Sequence, residues 1–308
     1  MKLKKLGKVG ILIALAASLV ACGGNKPKNE TANEGANAGG NQPATEAAAD
    51  LGTINVISRE QGSGTRSAFT ELTGVLEKDG DNEVDKTYEE ASVQSSTDAV
   101  LTTVQNDKAG VGYISLGSLN DTVKAVKVDG VEATAENIKS GDYKLARPFN
   151  IAYKAEIDEK TQDFIKFIMS EEGQKIAAEE GYIGEDDAEA YEPIDNDAHI
   201  AIAGSTSVTP LMEKLVEAYK ALNPNFEADI QSNGSSAGMT AAIEGTAQIG
   251  MASRELKEEE AAEVESLVIA RDGIAVVVNK ENSVEDLTMD NLKEIFTGAV
   301  TEWSEFIK

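Results

Sequence analysis

An α/β fold is what this sequence predicts for its body, residues 51–308. Short runs rich in β-branched residues alternate with amphipathic helical stretches, the pattern of strands layered with helices. Three of the intervening loops place Gly and Ser or Thr directly after a strand and directly before a helix. Hydrophobic residues make up 41% of the chain, and a body of about 258 residues can build two modest cores or one large one.

The elements follow in order from these patterns. Strands are expected at 53–58 (TINVIS), 110–115 (GVGYIS), 199–203 (HIAIA), 227–231 (EADIQ) and 273–279 (GIAVVVN), where aliphatic and β-branched side chains suit a pleated, covered surface. Helices are expected at 160–169, 170–180, 210–222, 235–244 and 288–296, where apolar residues recur at helical spacing. Pro210 suits the first helical position, with Thr209 as its cap. An acidic stretch containing Gly and Asp, 184–197, reads as a connector between two segments of the body. A repeat of solenoid type is not visible.

Ahead of the body stands a processing signal over residues 1–22. Lys2, Lys4, Lys5 and Lys8 form a basic head before the apolar run 11–20, which is too short to span a bilayer comfortably. It ends in Leu19-Val20-Ala21-Cys22, which resembles a bacterial lipobox, so Cys22 is expected to carry a lipid anchor. Cys22 is also the only cysteine, so an intramolecular disulfide is ruled out. Residues 23–50 are mainly Gly, Asn, Ala, Glu, Thr and Pro, too poor in apolar surface to offset the entropy of ordering. As a flexible tether they would reach roughly 30 Å.

The formal charge of −26 excludes nucleic-acid partners, which need clustered cations. Any anion site must therefore work through local donors against the global field. One histidine and one cysteine leave no soft ligand set, so neither a metal nor another cofactor is expected.

The three junctions carry the chemistry. They are Arg59-Glu60-Gln61-Gly62-Ser63-Gly64-Thr65-Arg66, Ala203-Gly204-Ser205-Thr206-Ser207-Val208-Thr209-Pro210 and Gln231-Ser232-Asn233-Gly234-Ser235-Ser236-Ala237-Gly238. At a helix start the first backbone N–H groups lack partners and the helix dipole is positive. Glycines let the chain approach an anion closely, and hydroxyls add rotatable donors. Ser and Thr cap helices everywhere, so one such junction is ordinary capping. Three in one chain, one of them beside Arg59, point to an oxyanion site. The Gly-Lys-Ser/Thr ending of a nucleotide loop is missing. Gly234-Ser235-Ser236-Ala237-Gly238 does match a nucleophile elbow centred on Ser236. A serine hydrolase needs a histidine base, and His199, the only histidine, precedes the serine and reads as a surface residue.

At these residues the sequence resembles the phosphate-binding solute receptors of bacterial phosphate ABC importers, over nearly all of 53–308. The resemblance rests on AGSTSVTPLMEKL, QSNGSSAGM, QIGMASREL, RDGIAVVVN, IFTGAVTEW, SREQGSGTR, GVGYISLGSL and RPFNIAYK. It implies a two-lobed fold of the periplasmic-binding-protein type II class, with hinge crossover strands near 148–153 and 274–279. The segment order is unusual, because the family's second half precedes its first, so the chain resembles a circular permutation. TEWSEFIK would lead naturally into LGTINVIS, and 184–197 would join the family's usual termini. Lobe I is then expected at 147–280, connector included, and lobe II at 51–146 plus 281–308.

The resemblance also implies site residues. Arg59, Ser63, Gly64 and Thr65 match the family's Arg-x-x-x-Ser-Gly-Thr signature, and Thr206, Ser207, Ser235 and Ser253 match the donors of the opposite lobe. Arg254 stands where long-form relatives carry an aspartate that accepts the ligand's proton. It is expected to touch phosphate, and Asp272 or Glu60 is left to supply the acceptor. Arg66, Arg147 and Arg271 fit either the cleft or structural ion pairs, whereas Tyr113 and Trp303 fit packing in lobe II. The implied function is reversible phosphate capture without catalysis, by a monomer anchored at the outer face of the cell membrane that delivers to permease subunits. Another tetrahedral oxyanion such as sulfate or a phosphonate, or a phosphate-sensing accessory role, is the alternative.

Overall fold

The structure is a computed structural model that describes residues 51–79, 82–185 and 188–307. The leader, Cys22 and the tether lie outside the described residues. The chain opens with β1 (Asn55–Arg59), α1 (Gly64–Thr73), the hairpin of β2 (Leu76–Asp79) and β3 (Asn82–Asp85), and β4 (Ser92–Gln94). Next come α2 (Thr97–Gln105), β5 (Gly110–Ser115), the short β6 (Lys124–Ala125) and β7 (Lys127–Val128), and α3 (Ala135–Ser140). β8 (Ala146–Tyr153) carries the chain into a second set of elements. These are α4 (Glu159–Met169), α5 (Glu171–Glu179), β9 (His199–Gly204), α6 (Thr209–Leu222), β10 (Glu227–Ser232), α7 (Ser235–Glu244), β11 (Ile249–Ala252) and α8 (Glu258–Ala261). β12 (Glu265–Val278) then returns to the first set, which closes with β13 (Asp286–Leu287) and α9 (Met289–Phe296).

The main sheet runs β10-β9-β11-β8-β12-β5-β1-β4, with β6 added on β12. β12 is long enough to serve two lobes. Its residues Glu265–Gly273 pair antiparallel with β8, and Ile274–Val278 pair antiparallel with β5. Each lobe repeats one strand order. In lobe I, β10 and β11 flank β9 in parallel, followed by β8 and β12. In lobe II, β4 and β5 flank β1 in parallel, followed by β12 and β6.

Covering helices explain why these strands are apolar on both faces. Along β12, Ile274, Val276 and Val278 enter one core with Phe69, Tyr113, Leu292, Phe296 and Trp303. The alternate Ala275 and Val277 enter another with Ile57, Val100, Leu101 and Val104 of α2. Lobe I has a separate core, in which Phe149, Phe164, Phe167, Leu215, Tyr219 and Phe226 meet. Tyr113 and Trp303 are both packed in lobe II. Tyr113 stacks on Phe69 at 4.0 Å, and the Trp303 indole N–H donates to Ala109 O at 2.9 Å.

Two segments tie the chain path together. The stretch 52–54 lies against 301–303, with Ile54 N donating to Thr301 O (2.7 Å) and Trp303 N to Gly52 O (3.0 Å). The connector is irregular but anchored. The hydroxyls of Tyr191 and Tyr219 both donate to the buried carboxylate of Asp163, and Asn196 Nδ2 donates to Tyr219 Oη and Lys160 O.

Two local expectations are corrected. α6 begins one residue early, with Val208 as N-cap in helical geometry and Pro210 inside the first turn. The Ser205 hydroxyl accepts from Ser207 N and Val208 N, so the turn is already wound before Thr209, whose own hydroxyl donates to Ser205 O. β12 also starts eight residues before the expected strand. Arg271 and Asp272 disguise it, because a strand that leaves one core for another passes polar surroundings at the crossing.

Candidate functional site

The C-terminal ends of the parallel strands of both lobes face one another, the usual place for a ligand in open α/β sheets. Ser63 caps α1 through its hydroxyl, which accepts from Arg66 N at 3.3 Å. Gly64 follows because nothing larger fits: a Cβ there would lie 2.3 Å from Ser235 Oγ and 2.7 Å from Ser253 Oγ. Gly234 has φ of 97°, a left-handed value natural to glycine. That geometry brings the start of α7 against the loop before α1, where Ser236 N donates to Gly62 O at 3.2 Å.

Hydroxyls and one guanidinium meet at this junction. Arg59 Nη2 donates to Thr206 Oγ1 at 2.9 Å, and the hydroxyls of Thr65 and Ser207 share a bond of 2.9 Å. On lobe I, Ser205 Oγ donates to Ser253 Oγ at 2.9 Å, and Ser253 N donates to Ser235 Oγ at 3.2 Å. Arg59, Ser63, Thr65, Ser205, Ser207, Ser235 and Ser253 are each no more than 2% exposed. Burying so many polar groups is costly unless they serve one another or a ligand.

Arg59 is held from several sides. Its backbone N–H donates to the Tyr113 hydroxyl at 3.2 Å, and its carbonyl accepts from Arg66 Nη1 at 2.7 Å. Its Nε and Nη2 both donate to the Glu60 carboxylate at 2.9 Å. Glu60 is thus the carboxylate at the edge of the cluster, near the start of α7.

Behind the cluster, where the crossover strands meet, lies the ion pair Arg147–Asp272, with both side chains 1% exposed. Arg147 Nη1 donates to Ser253 O at 3.2 Å and so steadies the loop that carries Ser253. Burial pushes the Asp272 carboxyl above its ordinary value, although Arg147 pulls it back. Arg66 pairs with Asp85, and Arg271 bonds through its backbone to Ile183.

Of the expected site residues, the structure brings together Arg59, Ser63, Gly64, Thr65, Thr206, Ser207, Ser235 and Ser253. Arg254 is the exception. Its Nη1 and Nη2 donate to the two oxygens of Glu260 at 2.7 Å, Nη1 also donates to Glu255 O, and its buried Nε has no partner among the described residues.

Thr97 is the residue that sequence reasoning missed. It is 4% exposed at the start of α2, with its hydroxyl 3.3 Å from Ser207 Oγ and 3.5 Å from Thr206 Oγ1 and Arg59 Nη1. Its signal was the run Ser95-Ser96-Thr97 before apolar Val100, Leu101 and Val104. Without a glycine that run passes for simple capping, and Ser96 does cap α2 through Ala99 N.

Catalysis at Ser236 lacks a base. His199 opens β9, at the far end of that strand from the cluster, and its exposed ring bonds Asp229. Among the described residues, no group of three His, Cys, Asp or Glu could hold a metal ion.

Known proteins agree with this architecture. The PBP superfamily domain matches residues 13–172 and 189–308. Phosphate-binding protein PstS 2 of Streptococcus agalactiae is 51% identical over 265 residues, covering 85% of this chain and 90% of the relative. PstS 2 of Streptococcus pneumoniae is 44% identical over 306 residues, 99% of each chain. A crystal structure of the phosphate-binding protein of a phosphate ABC transporter from S. pneumoniae superposes with a TM-score of 0.68. Sequence identity in that superposition is 48%, and it covers 83% of this chain and 100% of that one.

Proposed function

The chain belongs to the PstS-type phosphate-binding receptors of the PBP superfamily, components of phosphate ABC transporters, and from that premise we propose how it holds its ligand. Inorganic phosphate is captured between the lobes by Arg59, Ser63, Gly64 and Thr65 from lobe II and by Thr206, Ser207, Ser235 and Ser253 from lobe I. One observation carries this reading: buried hydroxyls of both lobes and the Arg59 guanidinium already lie within hydrogen-bond distance of one another. Such a cluster offers donors at the positive ends of α1, α6 and α7, plus one charge-assisted contact from Arg59. Arg254, whose Nη1 and Nη2 go to Glu260, is not counted among these donors, and its buried Nε stays without a partner among the described residues.

Phosphate differs from sulfate in carrying a proton at neutral pH, and that proton needs an acceptor. Asp272 gives Oδ2 to Arg147 and is buried behind the cluster, whereas Glu60, though paired with Arg59, sits at the cluster's edge and is 29% exposed. Glu60 is therefore the acceptor in this reading, which favours phosphate over other tetrahedral oxyanions. Binding is reversible and acts through closure of lobes 147–280 and 51–146 plus 281–308 about β8 and β12. The closed form is then the one recognised by permease subunits. Cys22 bears the lipid anchor, residues 23–50 tether a monomeric body to the outer face of the membrane, and neither cofactor nor nucleic acid takes part. The segment order reads as a circular permutation. The contact of 52–54 with 301–303 supports it, because it holds the start of the body beside its last segment, and 184–197 would be the compensating join.

Calorimetry on the purified body tests the proposal. Phosphate should bind the wild type tightly, and Arg59→Ala with Ser63→Ala should weaken it by about a hundred-fold or more, since hydrogen bonds to charged ligands are strong. Unchanged phosphate affinity in that double variant would refute the assignment.

A further inference from the structure

We infer that Thr97 is a further anion-binding residue, so that each lobe presents two helix starts to the ligand; the inference rests on the proposed phosphate site. It begins from the shared strand order. In lobe I, the first parallel strand β9 leads to Thr206 and Ser207, and the second, β10, leads to Ser235 at the start of α7. In lobe II, β1 leads to Ser63, Gly64 and Thr65, and the second parallel strand, β4, leads to Thr97 at the start of α2. Thr97 is thus the counterpart of Ser235. The match stops at the third strand, because Ser253 after β11 joins the cluster whereas Ser115, which ends β5, lies beside Asp272 and Tyr182.

Side-chain contacts carry the argument beyond symmetry. The Thr97 hydroxyl lies within 3.5 Å of groups from both lobes, namely Arg59, Thr206 and Ser207. Arg59 is 1% exposed, yet among the described residues its Nη1 has only the 3.5 Å contact to Thr97, at the limit of a hydrogen bond. A buried guanidinium nitrogen so poorly served points to an anion as its partner. The same anion lies within reach of the Thr97 hydroxyl and of the first N–H groups of a nine-residue helix. Asp98, in that first turn, is exposed.

Calorimetry with inorganic phosphate on wild type, Thr97→Val and Thr97→Ser tests this, with thermal unfolding of each protein measured without phosphate. Valine keeps the shape and removes the hydroxyl, so affinity should fall about ten-fold or more. Serine should stay within about three-fold of wild type, and phosphate-free unfolding should shift little in either variant. Equal affinity for valine and wild type overturns the inference and leaves the phosphate site standing; failure of the wild type itself to bind phosphate overturns the site. If the valine variant does not fold, a crystal structure of wild type with phosphate decides. Thr97 Oγ1 is expected at hydrogen-bond distance from a ligand oxygen, and a separation beyond about 4 Å overturns the inference.

Discussion

Glu60 and Arg254 show how neighbouring chemistry redistributes roles that a motif seems to fix. Arg254 sits in the right segment of sequence, yet its guanidinium is claimed by Glu260 through two bonds. Glu60 follows Arg59 directly, and its carboxylate takes both the Nε and Nη2 donors. Glu60→Gln should therefore weaken phosphate binding and strengthen sulfate binding relative to the wild type. The amide can donate to a fully deprotonated anion where the carboxylate repels it. Parallel weakening for both anions would show that Glu60 only positions Arg59. At this scale the candidate cluster was legible where glycine and hydroxyl residues gather, as at 62–65 and 204–207. It was illegible at Thr97, where nothing in the local run separates a member of the cluster from a cap.

Legibility varied between elements, since β11 and α2 are buried in cores yet were not expected. β5, α7 and α9 fall within a residue of the expected bounds, the helices because clear boundary residues bracket them, Gly234 and Gly245 around α7 and the Thr288 cap of α9. β12 was seen only in its lobe II half, since Arg271 and Asp272 interrupt the apolar run at the crossing between cores. α8 was not seen at all. It is a single acidic turn, Glu258–Ala261, that exists to aim Glu260 at Arg254. Burial alone would raise the Glu260 carboxyl, but hydrogen bonds from Arg254 and Lys257 N outweigh it and hold the group below its ordinary value. A carboxyl depressed in the folded state stabilises the fold above its unfolded value, and that contribution is lost as pH falls through the folded one. Urea midpoints should therefore drop more steeply below about pH 4.5 for the wild type than for Glu260→Gln. Parallel pH profiles for the two proteins would remove Glu260 from the account.

For the whole molecule, the net charge of −26 repels the ligand assigned to it, so capture depends on a few buried donors gathered from two lobes. The fold class was legible from alternating strands and helices, and the two-lobed arrangement from the resemblance of segments. Crossover strands near 148–153 and 274–279 were expected from the same resemblance, but the antiparallel pairing of β8 with Glu265–Gly273 of β12 was not, because register between distant strands is set by packing, which leaves no local mark. The convergence of helix starts on one dianion can be seen directly with arsenate, a tetrahedral stand-in whose arsenic scatters anomalously. Crystals of the full body grown with arsenate should show one strong arsenic peak. Its oxygens should lie within hydrogen-bond reach of Arg59, Thr65, Thr206 and Ser235 together. A peak bonded to one lobe alone, or sited anywhere outside that cluster, would contradict the account.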